Sequence, residues 1–403
     1  MDPEPPTVLV LDGDYDTSLV IARELTEDLE ATIVGAGTMR HSRLLRSTYC
    51  DYTAVVPPPD DPAHADAVLE VIRSCRPGVV LPVGYESMAS VDSIRSAVPA
   101  DVSLCLPPSP SFRVAVDKRA TLQRARELDI DVPTDYTGLV ADLEADGRPD
   151  VGDHLPFPVF LKARKENGAA TTAPVDDPAA FWSAYDRIAA IAPENDVLVQ
   201  EYVDGSRSTY GCGLLCFDNE VALACVHEEL RSVPRHGGSG THLRLCDQPR
   251  LQRHATRLLR EVGWHGVALV EFKRRPDGTF VLMEINPKFW ASYALASRFG
   301  HRFASTIVAD RLDLEVDVPV GSPESGREMV FPLRELKFRL ENRDRDSLPE
   351  YLATVCNPGV AWDVDPRDVG AWLTPPPAVV EKLPAIETGD SRVNAPSGGG
   401  THG

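Results

Sequence analysis

Residues 267–286 consist of two alternating runs of apolar and polar residues on either side of Pro276-Asp277-Gly278. Pro-Asp-Gly is a turn sequence, and period-two alternation on both sides of a turn is typical of a β-hairpin. Folding the two strands about this turn puts Glu271 roughly opposite Glu284. Strand periodicity puts Asn286, two residues further on, on the same face as Glu284.

Two carboxylates directly across a β-ladder repel each other. A hard divalent cation would remove this repulsion, and Mg²⁺ is usually held by one or two carboxylates while phosphate oxygens complete its coordination. Asn286 can add a neutral oxygen. We therefore predict a metal site formed by Glu271, Glu284 and Asn286. The alternative is an exposed strand face whose carboxylates are simply solvated.

Other segments indicate the fold class. Short apolar runs at 7–13, 32–35 and 78–83 alternate with helical spacing at 18–29 and 68–74. Alternation of this kind predicts a parallel sheet with helices on both faces. From residue 208 onward the strand-like runs are antiparallel in character. The sequence therefore predicts an α/β domain followed by α+β structure.

Charge and composition exclude several classes of function. The 403 residues carry a formal charge of −20, which disfavours nucleic acid and anionic membranes as partners. No apolar run is long enough to span a bilayer, and the N terminus does not resemble a secretory signal, so we expect a cytoplasmic protein. The eight cysteines show no zinc-ligand spacing. Excess acid with only seven lysines suggests a halophilic source.

The sequence of residues 282–292 is Leu-Met-Glu-Ile-Asn-Pro-Lys-Phe-Trp-Ala-Ser. This segment resembles the E-I-N-P-R-F-W-G-S motif of the ATP-grasp superfamily, in its carboxylate–amine ligase (carboligase) branch. Similarity runs from Val8 to about Asp310, with the motifs in the family's order. The other matching segments are residues 9–14 (L-x-x-D-G-D), Asp117-Lys118 (D-K), residues 158–162 (P-V-x-x-K), residues 200–205 (Q-E-Y-x-x-G) and residues 231–239 (R-x-x-P-x-x-G-G-x-S).

The resemblance implies an ATP-grasp fold preceded by a Rossmann-like parallel α/β domain. The predicted divisions are a Rossmann-like domain at 1–110, a small lid subdomain at 111–205, a large antiparallel subdomain at 206–310, an extension of unknown role at 311–393 and a disordered tail at 394–403. The extension could cover the active site or form an interface.

The resemblance also assigns roles to residues. Lys118 and Lys162 are similar to the two lysines that hold the α- and β-phosphates, and scarce lysine in an acidic chain makes these positions notable. Glu201 and Val203 are implied to contact the adenine edge, with Tyr202 packing nearby. Arg231 and Lys288 are the predicted anion clamps. The implied cofactors are ATP with Mg²⁺ or Mn²⁺, about two ions per site.

The function implied is ligation. ATP would phosphorylate a small carboxylate, an amine would attack the acyl phosphate, and ADP and phosphate would be released. Two alternatives stay open: carboxylation through carboxyphosphate, and a nucleotide-binding module without catalysis. A homodimer is one candidate for the oligomeric state.

Several positions depart from the family's pattern. Lys288 stands in place of an arginine, Ala291 in place of a glycine, and Glu229 where a basic residue is frequent. The loop after Lys162 has one glycine, Gly168, where relatives have several.

Other polar residues in or near the motifs are candidates for a functional role. Histidines 227, 236 and 242 flank Arg231, but we expect surface or hydrogen-bonded histidines rather than a general base. The acids of Asp12-Gly13-Asp14 would repel a pyrophosphate, so the first domain is not expected to bind a dinucleotide.

Overall fold

The computed structural model describes residues 4–165, 171–191, 196–203, 209–233, 239–315, 325–342 and 348–372. The strands are β1 (Thr7–Val10), β2 (Thr32–Gly37), β3 (Tyr52–Val55), β4 (Val79–Leu81), β5 (Ser103–Leu104), β6 (Val159–Ala163), β7 (Thr172–Val175), β8 (Val197–Glu201), β9 (Thr209–Phe217), β10 (Glu220–Val233), β11 (Ser239–Leu245), β12 (Gly266–Arg274), β13 (Phe280–Asn286), β14 (Glu328–Val330) and β15 (Val360–Trp362).

The α-helices are α1 (Asp16–Leu29), α2 (His64–Cys75), α3 (Tyr85–Ser93), α4 (Ser109–Val116), α5 (Lys118–Glu127), α6 (Thr137–Ala145), α7 (Phe181–Ile191), α8 (Pro249–Glu261), α9 (Tyr293–Arg298), α10 (Phe303–Arg311), α11 (Pro332–Asn342), α12 (Leu348–Val355) and α13 (Val369–Trp372). Within the described ranges, every helix is too short or too polar to cross a membrane.

The chain divides into two compact units. The first comprises Met1–Pro107, Lys288–Pro332 and Glu350–Gly403, and the second comprises Pro108–Pro287 and Leu333–Pro349. The finer divisions expected at 110, 205, 310 and 393 stay predictions, and the proposed tail at 394–403 lies outside the described residues.

The first unit contains a five-stranded parallel sheet in the order β3-β2-β1-β4-β5. The chain leaves β1 in one direction and returns to its other side at β4, which is a doubly wound arrangement. Because helices cover such sheets, the central strands are apolar throughout, and Val8, Leu9 and Val80 are fully buried. The predicted parallel α/β domain is confirmed.

The turn after β1 uses its acids internally. Asp12 Oδ2 accepts hydrogen bonds from the backbone N–H groups of Val83 (2.9 Å) and Gly84 (2.7 Å), at the start of α3. Asp14 Oδ2 accepts from the Thr38 N–H at 2.9 Å. These carboxylates therefore satisfy backbone donors of the fold.

A buried carboxylate joins the later part of the first unit to its first helix. Glu24 of α1 accepts from Tyr293 Oη at 2.7 Å and from the backbone N–H groups of Ala304 (2.9 Å) and Ser305 (3.0 Å). Burial raises the pKa of Glu24. Three donors at one buried carboxyl group therefore tie α9 and α10 to α1.

The smaller sheet of the second unit is antiparallel, in the order β7-β6-β8. Leu161 and Val199 point into a core shared with Phe181 of α7. Alternation along β6 and β8 places their intervening residues, Lys162 and Gln200 among them, on the opposite face.

The larger sheet of the second unit contains the antiparallel strands β13-β12-β9-β10-β11 in that order. One face packs on α5 and α8 and forms the core. Its buried members include Cys212, Leu214, Val270, Phe272 and Leu282 from the sheet and Leu122, Leu258 and Trp264 from the helical layer. Period-two alternation then turns Glu271 and Lys273 of β12 to the other face, where the candidate site lies.

Candidate functional site

The β12–β13 hairpin has the predicted register, with Glu271 directly opposite Glu284. Asn286 Nδ2 donates to Glu271 Oε1 at 2.8 Å and to Glu284 Oε1 at 3.4 Å. The three predicted metal ligands therefore lie together at the β13 edge of this sheet. An amide donor between two carboxylates relieves part of their mutual repulsion.

The donor set of this group fits a hard cation. Two partly exposed carboxylates and one amide offer only oxygen to a metal, as Mg²⁺ or Mn²⁺ prefers. The described part of the chain contains no group of three or more His, Cys, Asp or Glu able to hold a metal. A magnesium ion here would therefore take most of its ligands from phosphate oxygens and water.

Lys118 is the first residue of α5, and its Nζ lies 3.5 Å from Glu284 Oε2. The helix start is fixed by Asp117, whose Oδ1 accepts from the N–H groups of Arg119 and Ala120. Arg164 Nη2 is 2.7 Å from Asp117 Oδ2. Burial raises the pKa of Asp117, but the Arg164 guanidinium and the helix amides outweigh burial, so its pKa is lowered.

Lys162 of β6 is buried, and its Nζ donates to the Met283 carbonyl at 3.3 Å. Met283 precedes Glu284, so both motif lysines reach the same stretch of β13. Burying an ammonium group is costly unless it is paired. The chain has a formal charge of −20 and only seven lysines, and two of them lie against this one carboxylate-bearing strand.

The segment predicted to contact adenine is the end of β8. The Glu201 side chain is paired with Arg275, with Nη2–Oε2 at 2.8 Å, and also accepts from the Thr134 N–H at 3.1 Å. Burial raises the pKa of Glu201, and Arg275 with Thr134 more than offsets this, so the pKa is lowered. The Glu201 backbone N–H donates to the Thr134 carbonyl at 2.9 Å, so any base contact by Glu201 falls to its carbonyl oxygen.

Aromatic packing accompanies this segment. The Tyr202 ring lies 6.4 Å from the Phe160 ring, and Lys273 Nζ lies 5.7 Å from the Tyr202 ring centre. Val203 is buried. Residues 204–208, which complete the Q-E-Y-x-x-G motif, are outside the described ranges.

Arg231 of β10 is paired with a carboxylate that sequence analysis missed. Its Nε lies 2.8 Å from Glu335 Oε1 and 2.9 Å from Oε2, and Arg339 Nε donates to the same Oε1 at 3.1 Å. Glu335 is 0% exposed and Arg231 8%. The spacing of Glu335 and Arg339 on α11 could suggest a local ion pair, but nothing local connects them with Arg231.

Lys288 begins the stretch Lys288–Pro332 of the first unit and is partly exposed. Its role as an anion clamp stays a prediction. Gly168 and His236, singled out in the sequence, lie outside the described residues.

His227 lies in the same cross-strand row as the predicted metal ligand Glu271, since Glu271 pairs with Gly211 and Gly211 with His227. A Cβ atom on Gly211 would come within 2.3 Å of the His227 ring, so glycine is required for the imidazole to lie there. Burial lowers the pKa of His227 to about 4. The ring is therefore neutral near pH 7. His242 lies opposite Arg231 and is partly exposed.

Glu229, which stands where the family frequently has a basic residue, has an unusual environment. It lies two residues after His227 on β10 and close to Gly240, where an added Cβ atom would be 2.9 Å from Glu229 Oε1. Burial raises the pKa of Glu229 to about 7, and the charges of Lys273 and Arg334 oppose this rise. Burial therefore favours the protonated carboxyl, while the two cationic side chains favour the ionised one.

Comparison with known proteins points to the same superfamily. A family model described as "Carbamoyl-phosphate synthase L chain, ATP binding domain" matches residues 117–302. The carbamoyl phosphate synthase large chain of Gemmatimonas aurantiaca is 24% identical over 299 residues, covering 69% of this chain and 26% of that protein. The chain spans about a quarter of the length of the curated relatives it matches.

Two solved structures illustrate the likeness in fold. An L-amino acid ligase from Bacillus licheniformis has a TM-score of 0.62 and 15% identity, covering 83% of this chain and 86% of that one. The biotin carboxylase domain of 2-oxoglutarate carboxylase from Hydrogenobacter thermophilus, with MgADP and bicarbonate, has a TM-score of 0.61 and 14% identity, covering 75% and 69%. The predicted ATP-grasp fold with a preceding parallel α/β domain is confirmed.

The Arg231–Glu335–Arg339 cluster leads to a stability prediction. Glu335→Ala leaves two buried guanidinium groups without their shared carboxylate, and breaking a buried pair in this way costs about 3–5 kcal/mol. We expect a fall of this size in the free energy of unfolding, measured by urea denaturation. Glu261→Ala, at an exposed position on α8, is the matched control and should change it by less than about 0.5 kcal/mol. A loss below about 1 kcal/mol for Glu335→Ala would contradict the assignment.

Glu229 leads to a prediction about pH. Its pKa is about 7 in the folded protein, against an ordinary value of 4.5, so the folded state binds this proton more tightly than the unfolded chain. Its contribution to stability is therefore lost as the pH rises between those values. Glu229→Gln should match the wild type near about pH 4 and be more stable by about 1–2 kcal/mol above about pH 7, after solvent screening. Urea denaturation at several pH values tests this, and a pH-independent difference would refute it.

Proposed function

Because the chain belongs to the ATP-grasp superfamily, we propose that it is an ATP-dependent ligase that joins a small carboxylate to an amine and releases ADP and phosphate. The observation that carries the proposal is the meeting of Lys118 and Lys162 at the β13 segment that bears Glu284, directly opposite Glu271. Phosphate-binding cations and metal-binding carboxylates at one place are what an ATP-Mg²⁺ site requires.

In this proposal Glu271, Glu284 and Asn286 hold Mg²⁺ or Mn²⁺. The ion, when bound, neutralises negative charge on the phosphate oxygens. Lys118 and Lys162 act as point charges on the α- and β-phosphates. Lys118 is already within 3.5 Å of Glu284, so a phosphate between them would exchange an ion pair within the protein for one with the nucleotide.

In this proposal the segment at the end of β8 binds the adenine base of ATP. The main chain of Glu201 and Val203 pairs with the adenine edge, and Tyr202 packs beside it. Support comes from the side chains: Glu201 is held by Arg275 and Thr134, and the Tyr202 ring is fixed near Phe160. A rigid strand end presents its N–H and C=O groups in a fixed direction.

The chemical steps need charge stabilisation and positioning more than covalent participation by the protein. A carboxylate oxygen attacks the γ-phosphorus while the bond to the bridging oxygen of ADP breaks. The amine nitrogen then attacks the acyl carbon, phosphate leaves, and the amine loses a proton. Arg231 and Lys288 are proposed to stabilise the anions, and Glu335 fixes the direction of Arg231 through its Nε.

Small molecules are the proposed partners, since a charge of −20 disfavours nucleic acid. Carboxylation through carboxyphosphate is the second candidate, favoured by the fold shared with a biotin carboxylase domain that binds bicarbonate. Bicarbonate-dependent ADP release without an amine would distinguish it from ligation.

Release of ADP and phosphate by the purified protein tests the proposal, with the twenty amino acids supplied in pairs and with bicarbonate supplied alone. We expect at least one combination to support turnover, and Glu284→Gln to lower its rate by about a hundredfold or more, since a metal ligand is lost.

Glu261→Gln makes the same chemical change at an exposed position and should keep wild-type turnover. Binding of Mg-ATP without turnover for any combination would rule out the ligase and leave a nucleotide-binding module. Unchanged turnover in Glu284→Gln would remove Glu284 from the metal site.

A further inference from the structure

The exposed side of α8 carries a row of arginines. The buried side of this helix packs in the core of the larger sheet through Leu251, Ala255, Leu258 and Leu259. The arginines on the exposed side are Arg250, Arg253, Arg257 and Arg260. Their spacing places them along one face of an α-helix, over about 15 Å at about 1.5 Å per residue. This row of four residues is called the arginine stripe.

Most of the arginine stripe is not neutralised by carboxylates of the protein. In the described part of the chain, Arg250, Arg253 and Arg257 form no ion pair, whereas Arg260 pairs with Glu220. The chain as a whole has 61 acidic residues and 41 basic ones. Positive charge accumulates on this helix face against the overall composition of the chain.

Neighbouring groups hold the arginine stripe in place and respond to its charge. Arg257 Nη2 donates to the Leu128 carbonyl at 2.9 Å, and Leu128 directly follows α5. His254, on the same helix, has a lowered pKa. Burial lowers this pKa most, and the charges of Arg250 and Arg257 lower it further, while Asp131 opposes them. The positive potential of the stripe therefore acts on a neighbouring side chain.

The arginine stripe lies on the side of the larger sheet away from the candidate site. α8 packs on the core face of this sheet, whereas Glu271 and Lys273 lie on the other face. Because the sheet separates them, these arginines take no part in the proposed nucleotide site. Exposed guanidinium groups pair with carboxylates and phosphates in a planar, bidentate geometry, so the stripe fits a negatively charged partner.

Three kinds of negatively charged partner can be compared. Nucleic acid extends its charge well beyond the length of the stripe, where it would meet the acidic remainder of a chain with formal charge −20. A second copy in a two-fold dimer would bring the stripe against itself, arginine on arginine. A helix of another protein confines its carboxylates to one face, and the same residue spacing lets them run beside the stripe over its whole length. The acidic helix is therefore the partner that fits.

We propose that the arginine stripe of α8 is a docking surface for a partner protein that presents an acidic helix. The contact is electrostatic and exposed, so it gives selectivity and fast association more than tight binding. Salt screens such charges beyond about 8 Å at physiological ionic strength. A partner helix in contact with α8 therefore responds to the stripe rather than to acidic residues elsewhere on the molecule, and its binding weakens as salt rises.

Fluorescence anisotropy of two dye-labelled, stapled helical peptides, titrated with the full chain, tests the docking surface. Both peptides carry four glutamates in an alanine host. In the striped peptide the glutamates follow the spacing of the arginine stripe, and in the dispersed peptide they are distributed around the helix. At about 50 mM salt we expect the wild type to bind the striped peptide at least about fivefold more tightly than the dispersed one. Arg250→Gln/Arg253→Gln should weaken binding of the striped peptide by about tenfold, since two charge pairs are lost.

Arg40→Gln/Arg73→Gln removes two exposed arginines of the first unit and is the matched control, which should bind the striped peptide as the wild type does. Equal or undetectable binding of the two peptides by the wild type would overturn the inference, and so would unchanged binding in Arg250→Gln/Arg253→Gln. Tighter binding of a short DNA duplex than of the striped peptide would overturn it in favour of nucleic acid. Self-association in sedimentation that disappears in Arg250→Gln/Arg253→Gln would overturn it in favour of a second copy.

Discussion

Electrostatic repulsion between Glu271 and Glu284 is the constraint on which the candidate site in the second unit depends. The two carboxylates are fixed opposite each other by the β12–β13 register, whatever else surrounds them. Two neighbours offset this repulsion: the Asn286 amide donates to both carboxylates, and Lys118 Nζ approaches Glu284 to 3.5 Å. Like charges directly opposite on a ladder are destabilising, and partners of this kind offset that cost.

Other charged side chains of the candidate site are also paired or directed to β13. Lys118 comes from the start of a helix and Lys162 from the smaller sheet, yet both are directed to one stretch of β13. Arg231 is held from α11 by Glu335, a residue within the extension to which the sequence assigned no role. Part of that extension, Leu333–Pro349, thus belongs to the second unit and fixes a candidate anion-binding side chain.

Features that depend on local pattern could be predicted from the sequence. The hairpin follows from one turn and two alternating runs, so Glu271 could be placed roughly opposite Glu284 in advance, and this is confirmed. The register shift between Glu271 and Phe272, which makes the pairing direct, could not be predicted from that pattern. The contact between Glu335 and Arg231 could not, because it joins residues 104 positions apart and depends on how α11 packs. Nor could the sequence show that the Gln200 amide oxygen is buried without a donor among the described residues, since burial is a property of the folded chain.

Binding of Mn²⁺ in the presence of ATP, followed by electron paramagnetic resonance, tests the central claim most directly because it reports the metal at the two carboxylates without requiring a substrate. We predict that the wild type takes up Mn²⁺ with ATP and that Glu271→Gln weakens this uptake by about tenfold or more. Glu229→Gln, a neutralisation elsewhere on the same sheet, should bind as the wild type does. Unchanged Mn²⁺ uptake in Glu271→Gln would contradict a metal site at these carboxylates.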